Sequence, residues 1–278
     1  MNTAGHDRNT QPLLEVENLV KAYSQRKLAS PREEARALDG VSFTIFKGTT
    51  LAIVGESGSG KSTLAFCLAC LEKPTSGLLR FGERALLQLS ERELRPIRRN
   101  IQLIFQDPAS SFNPRWKVLE ILTEPLTLRE NLGRNEMRLR ALGLLEQVGL
   151  SSSMEKKLPM ELSGGQRQRL AIARALMLNP ELLILDEALS ALDCSVQAQI
   201  ANLLVELQRS RGMTYLFITH DMAMAAHLAD EIAVMSKGRI VEKGSPDKIL
   251  KQPEDEITRE LLAAAPRLDS AGWQGSEL

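Results

Sequence analysis

Gly55-Glu56-Ser57-Gly58-Ser59-Gly60-Lys61-Ser62-Thr63 constrains the fold of this chain more than any other segment. Its glycines let the backbone curl so that successive N–H groups face one point, and a helix starting there aims its positive end at the same point. Such a loop needs a strand that ends before it and a helix that begins after it. Leu51-Ala52-Ile53-Val54 is a short continuous apolar run, as expected of a strand buried on both faces. Ser62 to Leu71 is apolar nearly all round and reads as a buried helix. The segment is therefore a complete phosphate-binding loop for a nucleoside triphosphate. Lys61 is its compact cation for the β- and γ-phosphates, and Ser62 offers a hydroxyl to Mg²⁺.

The rest of the chain supplies what a strand buried on both faces requires. Ile101 to Phe105, Leu182 to Leu185 and Tyr215 to Ile218 repeat the buried-strand pattern. Helical stretches lie between them, notably Glu136 to Val148, Gln166 to Leu178 and Ser195 to Gln208. Strands alternating with helices predict an α/β fold with a mainly parallel sheet covered on both sides. Leu13 to Val16 and Val41 to Phe46 alternate as half-buried strands do, forming an N-terminal antiparallel β portion. Between them Ser24 to Arg36 is charged, carries Pro31 and reads as an exposed loop. Ile232 to Met235 and Arg239 to Glu242 flank Lys237-Gly238 as a hairpin. Asp107 to Leu162 is mainly helical and reads as a subdomain inserted between two core strands. Residues before Gln11 and after Arg267 are expected to fray.

Bulk properties narrow the partners. Lys+Arg and Asp+Glu are both 35, so the net charge is zero and there is no field for gathering nucleic acid or anionic lipid. Aromatic residues make up only 4%, too few for the stacking platforms of single-strand binders, so no nucleic acid is expected as a partner. Met1 to Gln11 is polar, which gives no expectation of a signal peptide. No apolar run approaches the ~18–20 residues of a membrane span, so any membrane role is expected to come through a partner. Cys67 and Cys70 form a C-x-x-C, but its place inside the helix after the phosphate loop favours packing over redox or zinc chemistry.

Leu182 to Leu185 ends in Asp186-Glu187. At a strand tip beside a phosphate loop, Asp186 can bind the Mg²⁺ shell, and Glu187 can orient or deprotonate an attacking water. Tyr23, the phosphate loop, Gln106, Leu162-Ser163-Gly164-Gly165-Gln166, Asp186-Glu187, Ser190-Ala191-Leu192-Asp193 and His220 then occur in an order that resembles the ATP-binding cassette (ABC) ATPases. The resemblance covers roughly residues 12–245. It implies a P-loop NTPase core with an inserted helical subdomain at about 107–178, a flexible N-terminus over 1–11 and a C-terminal helical tail over 246–278. It also implies a head-to-tail dimer sandwiching two ATP molecules, each held between the phosphate loop of one subunit and the Ser163-Gly164-Gly165 turn of the other. By this resemblance Gly55 to Thr63 bind ATP, Tyr23 stacks on adenine, and Gln106 senses metal and water. Glu187, Gln106 and His220 are then the catalytic group, and His220 contacts the γ-phosphate. Ser62, Gln106 and Asp186 serve Mg²⁺, Leu162 to Gln166 act in trans, and Asp193 crosses the dimer seam. The transfer is physically reasonable, since Ser163 can cap a helix starting near Gly164 and two glycines expose unhindered N–H groups at its positive end.

Within that family, Gln106 to Arg115, Glu124-Pro125-Leu126, Asp193 to Ile200 and Thr258 to Pro266 are similar to the dipeptide, oligopeptide and nickel importers. Departures are Asp255-Glu256-Ile257 where a His-Pro-Tyr is usual, Ala188 where proline is commoner, and no cysteine after Cys194 for an iron–sulfur cluster. The resemblance implies a peripheral subunit on the cytoplasmic face of the inner membrane. Its partners would be a second ABC ATPase (same chain or a paralogue), two transmembrane permease subunits and an extracytoplasmic solute-binding protein. The competing reading is a soluble ABC ATPase serving an enzyme complex, as in carbon–phosphorus lyase systems.

Overall fold

The computed structural model of the chain describes residues 11–25, 33–127 and 132–264. An antiparallel sheet of order β2-β1-β4-β5 is built from β1 (Pro12–Gln25), β2 (Glu33–Phe46), β4 (Ser76–Phe81) and β5 (Arg84–Ala85). A six-stranded sheet of order β10-β9-β3-β8-β7-β6 contains β3 (Thr50–Val54), β6 (Ile101–Ile104), β7 (Leu182–Asp186), β8 (Thr214–Thr219), β9 (Glu231–Ser236) and β10 (Arg239–Gly244). In it β9, β3, β8, β7 and β6 run parallel, and only β10 is antiparallel. This is the α/β fold with a mainly parallel sheet that the sequence predicts.

The parallel strands are apolar without interruption because each faces two cores. Leu51 and Ile53 of β3 join the core beneath the antiparallel sheet, together with Leu64, Ala65 and Leu68 of α1 (Lys61–Leu68). Ala52 and Val54, one residue out of phase, point into a second core with the helices that follow. Those include α3 (Val118–Thr127), α4 (Arg134–Gln147), α5 (Gly164–Leu176) and α6 (Cys194–Arg211), after α2 (Glu91–Asn100) earlier in the chain. Each fully buried Leu or Ile on these strands contributes about 1.5–3 kcal/mol. Moving β3 by one residue in register would exchange its two core faces.

Several local expectations change. Within the expected loop over Ser24 to Arg36, Ser24, Gln25 and residues 33–36 are strand, because β1 and β2 continue pairing to Gln25↔Glu33, with Ala22 opposite Arg36 and Tyr23 opposite Ala35; residues 26–32 lie outside the described residues. A two-stranded ribbon tolerates this charged sequence because backbone pairing does not require an apolar face. α1 ends at Leu68, three residues early: Cys70 has φ 55°, and Leu71 and Glu72 both donate their N–H to Phe66 O. Cys70 therefore lies past the helix, although Cys67 is fully buried and Cys70 half-buried, as packing roles require. β6 stops at Ile104. α2 was not expected; only Ile97 of it is buried, and what starts it is a capping box in which Glu93 accepts from Ser90 N at 2.8 Å.

The expected hairpin is present, with Lys237 (φ 45°) and Gly238 (φ 79°) as its two-residue turn. α7 (Met222–Leu228), α8 (Pro246–Lys251) and α9 (Glu256–Ala264) complete the described chain. Ile249 is fully buried, and Glu242 accepts hydrogen bonds from the N–H groups of Glu254 and Asp255, so α8 and the start of α9 are fastened to β10. The ends expected to fray lie outside the described residues.

Candidate nucleotide site

Because β3, β6, β7 and β8 are parallel, their carboxyl ends open on one edge of the sheet, where α/β folds hold ligands. β3 delivers the phosphate loop, β6 leads to Gln106, β7 ends in Asp186-Glu187 and β8 leads to His220. Lys61, Glu187 and His220, far apart in sequence, thus come together at this edge.

The loop needs its glycines for reasons of space. A Cβ on Gly55 would lie 2.2 Å from Met235 O, and one on Gly60 (φ 106°) would lie 2.3 Å from Ala37 O. The loop therefore rests directly on the backbones of β9 and β2, and Gly238 N–H donates to Ser59 O at 2.9 Å as a further brace. Glu56, Ser57, Gly58 and Ser62 are exposed, Thr63 is half-buried, and Ser59 is buried with its hydroxyl unpartnered. Lys61 is 4% exposed and donates to Gly55 O at 2.8 Å and Glu56 O at 2.7 Å. Burial depresses its ammonium pKa, a cost that the carboxylates of Glu187 and Asp186 oppose.

Asp186 is 6% exposed, and burial raises its carboxyl pKa although the Ser62 side chain hydrogen-bonds to it. Its Oδ1 has no hydrogen-bond partner. A buried, unpartnered carboxylate oxygen beside a serine hydroxyl is a hard oxygen donor pair, and it fits Mg²⁺ held by a few protein oxygens together with phosphates. No cluster of three His, Cys, Asp or Glu among the described residues offers an all-protein cage, which Mg²⁺ does not need.

Glu187 takes a left-handed backbone (φ 47°), fixed by its N–H donating to Ile218 O at 2.9 Å and by Ser190 donating to Glu187 O through both N–H (3.1 Å) and hydroxyl (2.8 Å). This turn aims the carboxylate between Lys61 Nζ and His220 Nδ1, 3.9 Å from each. His220 is exposed, as is Gln106.

A second group forms where α5 and α6 begin. Ser163 and Gln166 close a reciprocal capping box, with Ser163 Oγ accepting from Gln166 N at 3.3 Å and Gln166 Oε1 accepting from Ser163 N at 3.0 Å. Leu162 is buried, Ser163 and Gly164 are exposed, and a Cβ on Gly165 would stand 2.5 Å from Val196 Cγ1. Asp193 is exposed at the N-cap of α6 and makes no side-chain cap bond.

Tyr23 lies on β1, 39% exposed, with its hydroxyl bonded to Glu72 Oε2 at 2.7 Å. Glu72 and Lys21 were not expected near the site. The signal available for Lys21 was its place two residues before Tyr23, on the same strand face; Glu72, past the end of α1, had none.

A family model described as ABC transporter matches residues 38–190. The dipeptide transport ATP-binding protein DppF of Escherichia coli is 46% identical over 260 residues, covering 93% of this chain and 78% of that protein. The di/tripeptide transport ATP-binding protein DppF of Pseudomonas aeruginosa is 43% identical over 93% of this chain and 80% of its own length. Among solved structures, the ATP-binding cassette MJ0796, in a dimeric post-hydrolysis state bound to ADP and Pi, superposes with a TM-score of 0.75. It is 33% identical over 84% of this chain and 98% of that one.

Proposed function

This chain belongs to the ABC transporter family, and on that premise we propose that it is the ATP-hydrolysing subunit that energises import of peptides, nickel or a related small solute through a membrane permease. The transport names of its relatives favour this over a soluble enzyme-complex ATPase. The observation that carries the chemistry is the Glu187 carboxylate, held 3.9 Å from both Lys61 Nζ and His220 Nδ1 at the shared edge of the sheet.

In this reading the N–H groups of Gly55 to Thr63 and the ammonium of Lys61 take the phosphates, with Lys61 leaving the carbonyls of Gly55 and Glu56 to do so. Ser62, Asp186 and Gln106 would hold Mg²⁺, which supplies neutralising charge on the β- and γ-phosphate oxygens when bound. Glu187 orients water and accepts its proton, and His220 steadies the γ-phosphate. The Leu162 to Gln166 turn offers Gly164 and Gly165 N–H groups to the ATP of a second ATPase subunit, identical or paralogous, with Asp193 at the seam. Two permease subunits and an extracytoplasmic solute-binding protein complete the assembly, with this chain peripheral on the cytoplasmic face of the inner membrane. No helix among the described residues is long and apolar enough to cross a membrane, which supports attachment through the permeases. A cleft lined by Phe105, Phe112, Pro125 and Arg174 supports Gln106 to Leu126 as the segment that couples to them.

Glu187→Gln tests this. Removing a positioned base costs about 10²–10⁴-fold in rate while sparing the phosphate contacts, so the variant should bind MgATP and accumulate a closed dimer in size-exclusion chromatography, with the partner ATPase added if the working pair is heteromeric. Hydrolysis at the parental rate would move the catalytic carboxylate elsewhere.

A further inference from the structure

Stacking on a base uses only the ring of Tyr23, yet the structure invests heavily in its hydroxyl. That hydroxyl donates to Glu72 Oε2 at 2.7 Å and has Thr63, the last residue of the phosphate loop, as a second partner. Lys21 places Nζ 3.0 Å from Glu72 Oε1 and 4.9 Å from the Tyr23 ring centroid, so an ammonium covers one ring face while Tyr23 stays 39% exposed.

Glu72 is itself fixed. Its N–H donates to Phe66 O at 3.1 Å beyond the left-handed Cys70. Arg98 closes that turn by donating to Cys70 O from Nε at 3.0 Å and from Nη2 at 2.6 Å. α1 thus carries the phosphate loop at its N-terminus and Glu72 just past its C-terminus, and eight residues of helix span about 12 Å. The fold does not need the Tyr23–Glu72 bond to hold β1 there. Thr75 N→Val20 O (2.7 Å), Ala22 N→Thr75 Oγ1 (2.9 Å) and Lys21 Nζ→Lys73 O (2.9 Å) already join the two segments.

We propose that Glu72 and Lys21 are positioning residues for the nucleobase: Glu72 latches the Tyr23 hydroxyl, Lys21 backs one ring face, and the opposite face is held ready for adenine at a set distance from the phosphate loop. The proposal rests on the reading of Tyr23 as the adenine stack. A half-exposed tyrosine without the latch samples other rotamers, and binding must then bear the cost of ordering it.

The test is calorimetric binding of MgATP to full-length Tyr23→Ala, Tyr23→Phe, Glu72→Ala, Glu72→Gln and Lys21→Ala, with inorganic tripolyphosphate measured by competition as the base-free probe. Tyr23→Phe and Glu72→Ala should weaken ATP about 3- to 10-fold, the scale of one aromatic contact, and leave tripolyphosphate unchanged. Glu72→Gln, which keeps an acceptor, should recover part of the loss. In the assembled transporter KM for ATP should rise with kcat unchanged. Parental ATP affinity in Tyr23→Phe and Glu72→Ala, or equal losses for ATP and tripolyphosphate, would overturn the latch. Tighter ATP binding by Lys21→Ala would do so too, since the ammonium would then occupy the stacking face. Parental affinity in Tyr23→Ala would remove the stacking reading itself, whereas a loss confined to Tyr23→Ala would leave the stack and discard the latch.

Discussion

Asp186→Asn is expected to push stability and nucleotide response in opposite directions. The carboxylate is 6% exposed, its Oδ1 has no partner, and burial disfavours its charge. Asparagine keeps the shape and the acceptor for Ser62 and leaves its amide as unpaired as Oδ1 was, but it removes the buried charge, whose desolvation costs about 1–3 kcal/mol, at the expense of the attraction between Asp186 and Lys61. Net relief should raise the melting temperature of the nucleotide-free protein by up to about 12 °C, taking ~2–4 °C per kcal/mol for a chain of this size class. The parental protein should gain about 2.7 kcal/mol more at MgATP a hundredfold above Kd, whereas the variant, short of one hard oxygen, should lose the Mg²⁺-dependent part of that gain. Thermal unfolding with no nucleotide, with ATP plus EDTA and with MgATP separates the effects. A variant that is less stable without nucleotide yet keeps the full Mg²⁺-dependent shift would show Asp186 to be a structural carboxylate, and the ion assignment would be wrong.

Gly165→Ala places a methyl 2.5 Å from Val196 Cγ1, and a β-branched valine cannot swing clear. A loss of about 1–3 kcal/mol is expected, with weaker ATP-dependent dimerisation, and Val196→Ala should rescue both; no rescue would place the effect outside this contact. Burial pushes the Cys67 thiol up to about 12 and the Cys70 thiol up to about 11, while Cys194 is exposed. Since a raised pKa keeps the Cys67 and Cys70 thiols protonated until the pH nears those values, Ellman's reagent at pH 8 should titrate Cys194 alone until the protein is unfolded. Rapid native reaction of Cys67 or Cys70 would contradict this.

Residues whose chemistry is local were legible in the sequence. The phosphate loop, the buried runs of β3, β7 and β8 and the Lys237-Gly238 turn each carry their cause within a few neighbouring residues. Asp186-Glu187 was legible for the same reason, as an apolar strand ending in two acids. α2 escaped because helical periodicity reports an apolar face, and Ile97 is its only buried residue; the capping box at Ser90 and Glu93 was the available signal. The continuation of β1 and β2 past Ser24 escaped because cross-strand pairing of charged residues leaves no hydrophobic pattern. The early end of α1 at Leu68 escaped because the Cys70 turn that follows it is closed by Arg98, a residue 28 positions away. Glu72 could not be found for the same reason: a strand from one end of the domain brings Tyr23 to it.

The neighbours of β3 set a schedule for making this protein. Thr50 pairs with Tyr215 on one side and Leu51 with Glu231 on the other, so the strand that delivers the phosphate loop has no lasting partner among the residues translated next to it. At about 5–20 residues per second, β3 waits on the order of ten seconds on the ribosome before β8 and β9 emerge. During that wait an apolar strand and an apolar helix are exposed together, a period when chaperones or aggregation compete for them. Chains released before Ser236 lack one wall of the sheet under the loop, and those released before Gly238 also lack the brace on Ser59. Truncated products should therefore be unable to hold ATP.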